Sequence, residues 1–262
     1  MDAYLSHDRR LALLDVIMAD TTSLTSSMDL VRRTRELGGA ELRGTRGMQV
    51  VVGGYSAASL DFQTDLLRRF PLLVGLILGA TALMLAIAFR SVLVPLKAII
   101  MNTLSVSATF GLIVLVFQLG VGAQVFGLDG PTSAIFVVIP VLVFAVVFGL
   151  SMDYEVFLLS RIKEAYDRSG RNTAATMEGL SATASVITSA ALIMILVFGI
   201  FAFARVLPMQ LLGFGLAVAV LLDATVIRMV LVPAFMQMMG RWNWWPGGRR
   251  PGRPSGEVEA MP

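Results

Sequence analysis

No cysteine occurs in this chain, and His7 is its single histidine. The absence of cysteine excludes disulfide bonds and thiolate metal sites, and one histidine cannot build a cluster of metal ligands. Charged residues are also few, at 15% of the 262 residues, whereas soluble domains have about 25%. With 56% hydrophobic residues and a mean hydropathy of +0.78, the composition is that of a membrane protein.

Several functional motifs are missing as well. The sequence contains no glycine-rich phosphate loop and no recognisable signal peptide at Met1. It shows no paired acids, histidine cluster or nucleophile–base spacing, which argues against an enzyme and against a bound cofactor or metal. The net charge of +3 does not indicate binding to nucleic acid, because the basic residues gather beside apolar runs, as residues that set orientation in a bilayer do.

Five apolar segments are long enough to cross a bilayer, which takes roughly 17–25 residues. They predict an α-helical integral membrane protein with a five-span domain over residues 66–240. The spans cover approximately residues 71–89, 98–119, 133–159, 181–203 and 209–238. Pro140 and Pro233 lie within the third and fifth spans, where they favour kinks or tilt.

Basic residues are distributed unevenly among the connections between spans. Arg90 and Lys97 bracket the first connection, and both the third connection and the region after the fifth span are rich in Lys and Arg. The second connection has no Lys or Arg, and the fourth has only Arg205. The positive-inside rule therefore predicts a multi-pass protein of the cell membrane with an extracytoplasmic N-terminus and a cytoplasmic C-terminus.

Residues 1–65 have the composition of a segment outside the membrane. Apolar runs at Leu11–Met18 and Met48–Val52 predict strands, and Met28–Leu37 between them predicts a helix. This β-α-β order is half of a small α/β sandwich and is too short to bury a stable core alone. Leu60–Phe70 then predicts an amphipathic helix that leads into the membrane.

Two further segments are predicted on the cytoplasmic side. Residues 161–179 predict an amphipathic surface helix between the third and fourth spans. Residues 241–262, rich in Pro, Gly and Arg, predict a disordered tail. We interpret Trp242, Trp244 and Trp245 at its start as an aromatic belt at the membrane interface.

The strongest functional candidate is Asp153 in the third span, followed directly by Tyr154. An ionisable residue inside a span costs about 2.5–3.5 kcal/mol and by default indicates function. Asp153 lies one to two turns inside Arg161, which is too deep for a short carboxylate to reach the interface. A carboxylate in a low-dielectric surrounding can exchange protons near physiological pH, and the phenol beside it can donate a hydrogen bond. A position near the interface, beside Glu155, is the alternative.

Other polar residues inside the spans allow two interpretations each. Asp223 in the fifth span either carries protons or forms a structural ion pair with Arg228, five residues on. Ser185, Thr188 and Ser189 in the fourth span either support a relay or simply allow close helix packing. A polar face in the second span predicts a helix–helix contact through Asn102, Ser105 and Thr109.

Four stretches of the sequence resemble the C-terminal half of MMPL-type transporters in the resistance–nodulation–division superfamily. They are FRSVLVPLKAIIMNTLSVSATFGLIV (89–114), VFGLSMDYEVFLLSRIKEAY (147–166), ATASVITSAALIM (182–194) and LGFGLAVAVLLDATVIRMVLVPAFMQMMGRWNWW (212–245). The likeness covers most of residues 10–245.

This resemblance implies a transporter that exports lipids or other hydrophobic small molecules, is driven by the proton gradient and has no cofactor. An intramembrane Asp-Tyr pair is part of the proton relay in that family, and here it falls on Asp153 and Tyr154. Residues 1–65 are then the end of an extracytoplasmic porter domain, a partial α/β segment of ferredoxin-like type. The expected partners are the substrate, membrane lipids and a missing half or second subunit.

The sequence also departs from the family pattern. A complete member has two similar halves, each with one span, a large porter domain and five more spans. This sequence shows the end of one porter domain and five spans, without a preceding span to act as a leader. We interpret it as a C-terminal fragment, either a natural split half or a truncated product, that is inactive without the other half. The alternative is a membrane scaffold or regulatory half without transport.

Overall fold

The computed structural model describes residues 4–6, 8, 10–16, 24–41, 50–128, 130–132 and 136–246. The chain divides into two compact units, Met1–Leu66 and Leu67–Pro262.

The first unit contains a short hairpin and a helix. Strand β1 (Tyr4–Leu5) pairs antiparallel with β2 (Ala12–Leu13), with Tyr4 opposite Leu13. Helix α1 spans Leu24–Glu41, so the predicted helix is present and longer than expected. It packs against the beginning of α2, which starts at Tyr55, and Val31, Ala57 and Leu60 form the small buried core of this unit.

The predicted β-α-β order of this unit is not confirmed. Of the strand expected over 11–18, residues Ala12–Leu13 are extended and paired, and 17–18 lie outside the described residues. Of the strand expected over 48–52, residues 50–52 form no strand and 48–49 lie outside the described residues. Because residues 50–52 form no strand, the ferredoxin-like porter segment stays a prediction. Helix α1 and the start of α2 are joined by an ion pair, in which Arg35 Nη1 lies 2.5 Å from Asp61 Oδ1.

Helix α2 runs without interruption over Tyr55–Phe89 and includes Pro71 in its interior. The predicted amphipathic helix at 60–70 and the predicted first span at 71–89 are therefore one helix. A proline inside a transmembrane helix is tolerated where neighbouring groups satisfy the freed backbone carbonyl.

Four more helical segments belong to the second unit. They are α3 (Leu93–Ile113), continued by a π-helical turn to Gln118, α4 (Val138–Ser169), α5 (Asn172–Phe201), and α6 (Leu207–Leu222), continued by a π-helical segment (Asp223–Leu231) and α7 (Val232–Met239). With α2 they make five helical segments, among the residues that the structure describes, that are long and apolar enough to cross a membrane, which agrees with the predicted number of spans.

Helices α4 and α5 join through a tight turn. Gly170 has φ 65°, a left-handed conformation that favours glycine, and its N–H donates to the Tyr166 carbonyl at 2.8 Å to end α4. A Cβ atom on Gly179 would lie 2.5 Å from Ile162 Cγ1, so the two helices approach very closely. Residues 161–179, all of which the structure describes, contain no separate surface helix. The segment expected there is the end of α4 and the start of α5.

The core of the second unit lies where α4 and α6 pack against their neighbouring helices. Helix α4 contacts α5 and α6, and α3 contacts α6. Met101, Leu158 and Leu211 are among the fully buried side chains of this core. Because lipid tails are as apolar as these side chains, close packing and interhelical hydrogen bonds, rather than the hydrophobic effect, select this arrangement.

Trp244 corrects the predicted aromatic belt. Its side chain is 1% exposed and stacks on Tyr166 with ring centroids 5.4 Å apart, whereas Trp242 and Trp245 are exposed. Neighbouring Asn243 is held by the Ser91 hydroxyl, which donates to its carbonyl at 2.6 Å. The expected disordered tail therefore cannot begin at residue 241, because Trp244 anchors this end of the chain. Residues 247–262 of that tail lie outside the described residues.

Replacing Trp244 with alanine should destabilise the chain by about 3–5 kcal/mol, the usual cost of emptying a buried aromatic site. The measurement is the free energy of unfolding of the purified chain in detergent. Trp242→Ala is the matched control, since that side chain is 56% exposed, and it should change stability little. Equal losses in the two variants would contradict the anchoring role of Trp244.

Candidate functional site

A cluster of polar side chains lies inside the packed helices of the second unit. It contains two cations, two carboxylates and two neutral groups, contributed by α3, α4 and the π-helical segment. Its members are Lys97 and Asn102 on α3, Ser151 and Glu155 on α4, and Asp223 and Arg228 on the π-helical segment, all between 2% and 7% exposed. Charged side chains buried inside membrane helices are rare, and they mark ion or substrate pathways.

The π-helical segment explains how Asp223 and Arg228 meet. Five residues apart on an α-helix, with about 3.6 residues per turn, they would point in different directions. A π-helical turn closes between residues i and i+5, which aligns the two side chains, and such turns are frequent at functional sites. Arg228 Nη2 donates to Asp223 Oδ2 at 2.7 Å and to the Ser151 carbonyl at 3.1 Å.

Ser151 links this ion pair to α3. Its Oγ lies 2.8 Å from Asp223 Oδ1 and 2.6 Å from Asn102 Oδ1. A hydroxyl has one proton and can donate to only one of these acceptors. The Asn102 nitrogen donates to Met152 Sδ at 3.2 Å, so its oxygen is the atom that faces Ser151. The Ser151 hydroxyl thus lies between Asn102 on α3 and Asp223 on the π-helical segment, and the helix contact predicted for Asn102 is present.

Asp153 is not part of this cluster. The side chain is exposed on the surface of the helices that the structure describes. Each residue of an α-helix is rotated by about 100° from the one before, so Asp153 points roughly 200° away from both Ser151 and Glu155. Since those two face the interior, Asp153 must face outward.

Tyr154 lies at the boundary between the exposed face of α4 and the buried cluster. It is half-buried, and the guanidinium carbon of Arg228 is 4.8 Å from the centre of its ring. That distance is within the about 6 Å of a cation–π contact. Its hydroxyl lies 3.9 Å from Met194 Sδ on α5. Tyr154, the residue that follows Asp153, therefore contacts the buried Asp223–Arg228 pair through Arg228.

The hydroxyl residues proposed as relay support lie elsewhere. Ser185, Thr188 and Ser189 are all exposed on α5 and are not brought to the buried cluster. Two other hydroxyl residues of α5 are buried, and both donate to carbonyls of their own helix: Thr176 to Asn172 at 2.9 Å and Thr183 to Gly179 at 2.8 Å. This placement is what a packing or surface role predicts.

Two charged residues of the cluster were missed from the sequence. Lys97 was assigned to the first connection, yet it lies inside α3 with its Nζ 2.8 Å from Met236 Sδ. Glu155 was assigned to the interface, yet it is 6% exposed. The helical period could have identified Glu155, because it follows the buried Val147 and Ser151 at intervals of four residues.

These features define a polytopic membrane protein with a charged network within its helices, and comparison with known proteins gives its family. Residues 1–256 match the MMPL family. The chain therefore belongs to this family, whose members are transporters of the resistance–nodulation–division superfamily.

Three relatives illustrate the similarity. The chain is 41% identical over 243 residues to the mycolic acid-containing lipids exporter MmpL11 of Mycolicibacterium smegmatis, a match that covers 92% of this chain and 25% of that protein. It is 42% identical over 200 residues to the trehalose monomycolate exporter MmpL3 of Mycobacterium tuberculosis, covering 76% and 21%. It is 46% identical over 198 residues to the heme uptake protein MmpL11 of Mycobacterium tuberculosis, covering 75% and 20%. The chain thus spans between a fifth and a quarter of the length of these relatives.

Proposed function

We propose that this chain forms the C-terminal membrane part of an exporter of lipids or other hydrophobic molecules, driven by the proton gradient without a cofactor. Asp153 and Tyr154 carry the proton in this proposal. The observation that supports it most directly is the position of Asp153: a carboxylate in the middle of α4, exposed on the helix surface, beside a tyrosine that contacts a buried charge pair.

Exposure of this carboxylate to lipid costs about 2.5–3.5 kcal/mol on insertion scales. The cost is lower when a second set of helices covers the carboxylate. The face of α4 that carries Asp153 also carries Ala145 and Gly149, both exposed, and a Cβ on Gly149 would meet nothing within 4 Å. Small residues at this spacing allow another helix to approach closely.

In the assembled transporter, by which we mean this chain together with the helices that complete it, Asp153 then lies at the interface between two sets of spans. Coupling sites of transporters built from repeats lie at such interfaces near the middle of the membrane. Protonation of Asp153 removes a charge from the interface and changes the preferred packing of the two sides. Tyr154 passes that change to Arg228 and hence to Asp223 on another helix.

Two of the relatives are exporters of mycolic acid-containing lipids and trehalose monomycolate by name, and one is a heme uptake protein. We extend to this chain only the class of large hydrophobic or amphipathic molecules. The alternative function, a membrane scaffold or regulatory part without transport, does not require a titratable group at position 153.

The proposal is tested in proteoliposomes with a fluorescent long-chain lipid as the probe. The assembled transporter should move the lipid only when a proton gradient is imposed, and a protonophore should stop it. The purified chain alone should not move it, because Asp153 then lacks its covering helices. Gradient-independent movement by the assembled transporter would contradict the proposal, and transport by the chain alone would show that copies of this chain complete one another.

The orientation in the membrane gives an independent expectation. The distribution of Lys and Arg places residues 1–65 outside the cytoplasm and the region after Arg241 inside it. Reporter fusions at Gly122 and Gly248 should therefore give opposite signals, external at Gly122. The same signal at both sites would overturn this orientation.

A further inference from the structure

Glu155 is a second acidic side chain of α4, two residues from Asp153 and on the opposite, interior face of the helix. It is 6% exposed, and its Oε1 accepts no hydrogen bond from the residues that the structure describes. A buried carboxylate normally has its oxygens satisfied, because desolvation of an unpaired group is costly. An unpaired carboxylate oxygen in this position therefore has to be explained by a function or by a bound partner such as water.

The charged groups that interact with Glu155 come from two neighbouring elements. Lys97 on α3 attracts the Glu155 carboxylate. On the π-helical segment, Arg228 attracts it and Asp223 repels it. Lys97 makes no direct ion pair within the part of the chain that the structure describes, and its Nζ contacts a methionine sulfur instead. With all four ionised, two positive and two negative charges balance.

Glu155 and the ion pair line the same small cavity. Its polar side chains are those of Asn102, Ser151, Glu155, Asp223 and Arg228. The centre of a water molecule can occupy about 10 Å³ of this cavity. That volume is close to the lower limit for one buried water, which needs two to four polar partners. Arg228 Nη1, a donor unpaired among the described residues, and Glu155 Oε1, an unpaired acceptor, provide two of them.

We propose that Glu155 is a further proton-binding residue of this transporter, connected through one water molecule in this cavity to the Asp223–Arg228 pair, with Lys97 as its counter-charge. The proton adds to Oε1 of the carboxylate, and no other bond changes. When Glu155 is ionised the four charges balance, and when it is protonated one positive charge is left over. Proton binding therefore changes the net charge of the buried cluster that α3, α4 and the π-helical segment share. We expect these three elements to pack differently in the protonated and the ionised state.

This inference rests on the proposed proton-driven function, but it can be tested without transport. The purified full chain is placed in lipid nanodiscs, and infrared spectra are recorded as the pH is changed. The carbonyl band of a protonated, buried carboxylic acid should appear as the pH falls. Glu155→Gln should remove this band, and Asp153→Asn should leave it in place.

Lys97→Met provides the second measurement, because methionine keeps most of the apolar stem and removes the cation. Without that cation the ionised form of Glu155 is less favourable, so the band should persist to higher pH. This shift is expected even where Glu155→Gln fails to fold. A band that survives in folded Glu155→Gln protein, or a midpoint that Lys97→Met leaves unchanged, would overturn the inference.

The results also separate this inference from the proposed function. If the band belongs to Asp153 alone and the assembled transporter still exports with the gradient, the inference about Glu155 fails while the function stands. If Glu155→Gln removes the band but the assembled transporter shows no gradient-dependent export, the proposed function fails and Glu155 remains a buried proton-binding group.

Discussion

Replacing Asp153 with asparagine should abolish proton-coupled export by the assembled transporter while leaving expression and membrane insertion intact. Asparagine keeps the size of the side chain and removes its ability to bind a proton. Asp153 is exposed on this chain, so the substitution leaves no cavity and no unpaired charge in the described core. The measurement is lipid export in proteoliposomes across a series of proton gradients.

Asp167→Asn is the matched control for this experiment. It makes the same chemical change in an exposed side chain near the end of the same helix, where Asp167 pairs with Lys163. Exposed ion pairs contribute about 0–1 kcal/mol, so export should be nearly normal. Tyr154→Phe should impair export less than Asp153→Asn, because it removes one hydroxyl and retains the ring that faces Arg228. Normal export with normal pH dependence in Asp153→Asn would contradict the proton-carrying role of Asp153.

The membrane part of the fold could be predicted from the sequence because it follows from length and apolarity alone. All five spans are present, with boundaries that differ by several residues. All five helical segments are longer than the predicted spans, most of all the first, third and fourth, whose helices continue past the apolar stretch into amphipathic sequence. The start of α2 is one example, and the close of α4 at Gly170 is another.

The candidate site was predicted only in part, and the reason is geometric. Depth along a helix can be counted from the sequence, and it correctly placed Asp153 within the third span. The direction in which a side chain points depends on the neighbours of the helix, which the sequence does not state. Asp153 and Glu155 point in nearly opposite directions, so only one of them can enter this bundle, and the structure selects Glu155.

Asp223 and Arg228 show a second limit. Their partnership was one of two open interpretations, but nothing in the sequence indicates the π-helical segment that aligns them. Lys97 was missed because basic residues near the end of an apolar run usually mark the membrane interface. Its burial depends on the polar groups of α4 and the π-helical segment, which come close only in the folded chain.

Breaking the Asp223–Arg228 pair should strongly destabilise this chain. Both side chains are buried, at 7% and 4% exposure, and removal of one partner leaves the other as an uncompensated charge. The loss for a buried pair is about 3–5 kcal/mol. Asp223→Asn and Arg228→Met should each reduce the yield of folded protein, measured as the monodisperse fraction in detergent and as the free energy of unfolding.

The double variant Asp223→Asn, Arg228→Met separates charge balance from a role in transport. It removes both charges together, so most of the lost stability should return, since replacing a buried ion pair by uncharged groups is often neutral. Export should not return, because Tyr154 then faces methionine instead of the guanidinium and the link from Asp153 to the buried cluster is broken. A single variant as stable as the unmodified chain would contradict the structural role of the pair. Full export by the double variant would show that the proton route does not depend on it.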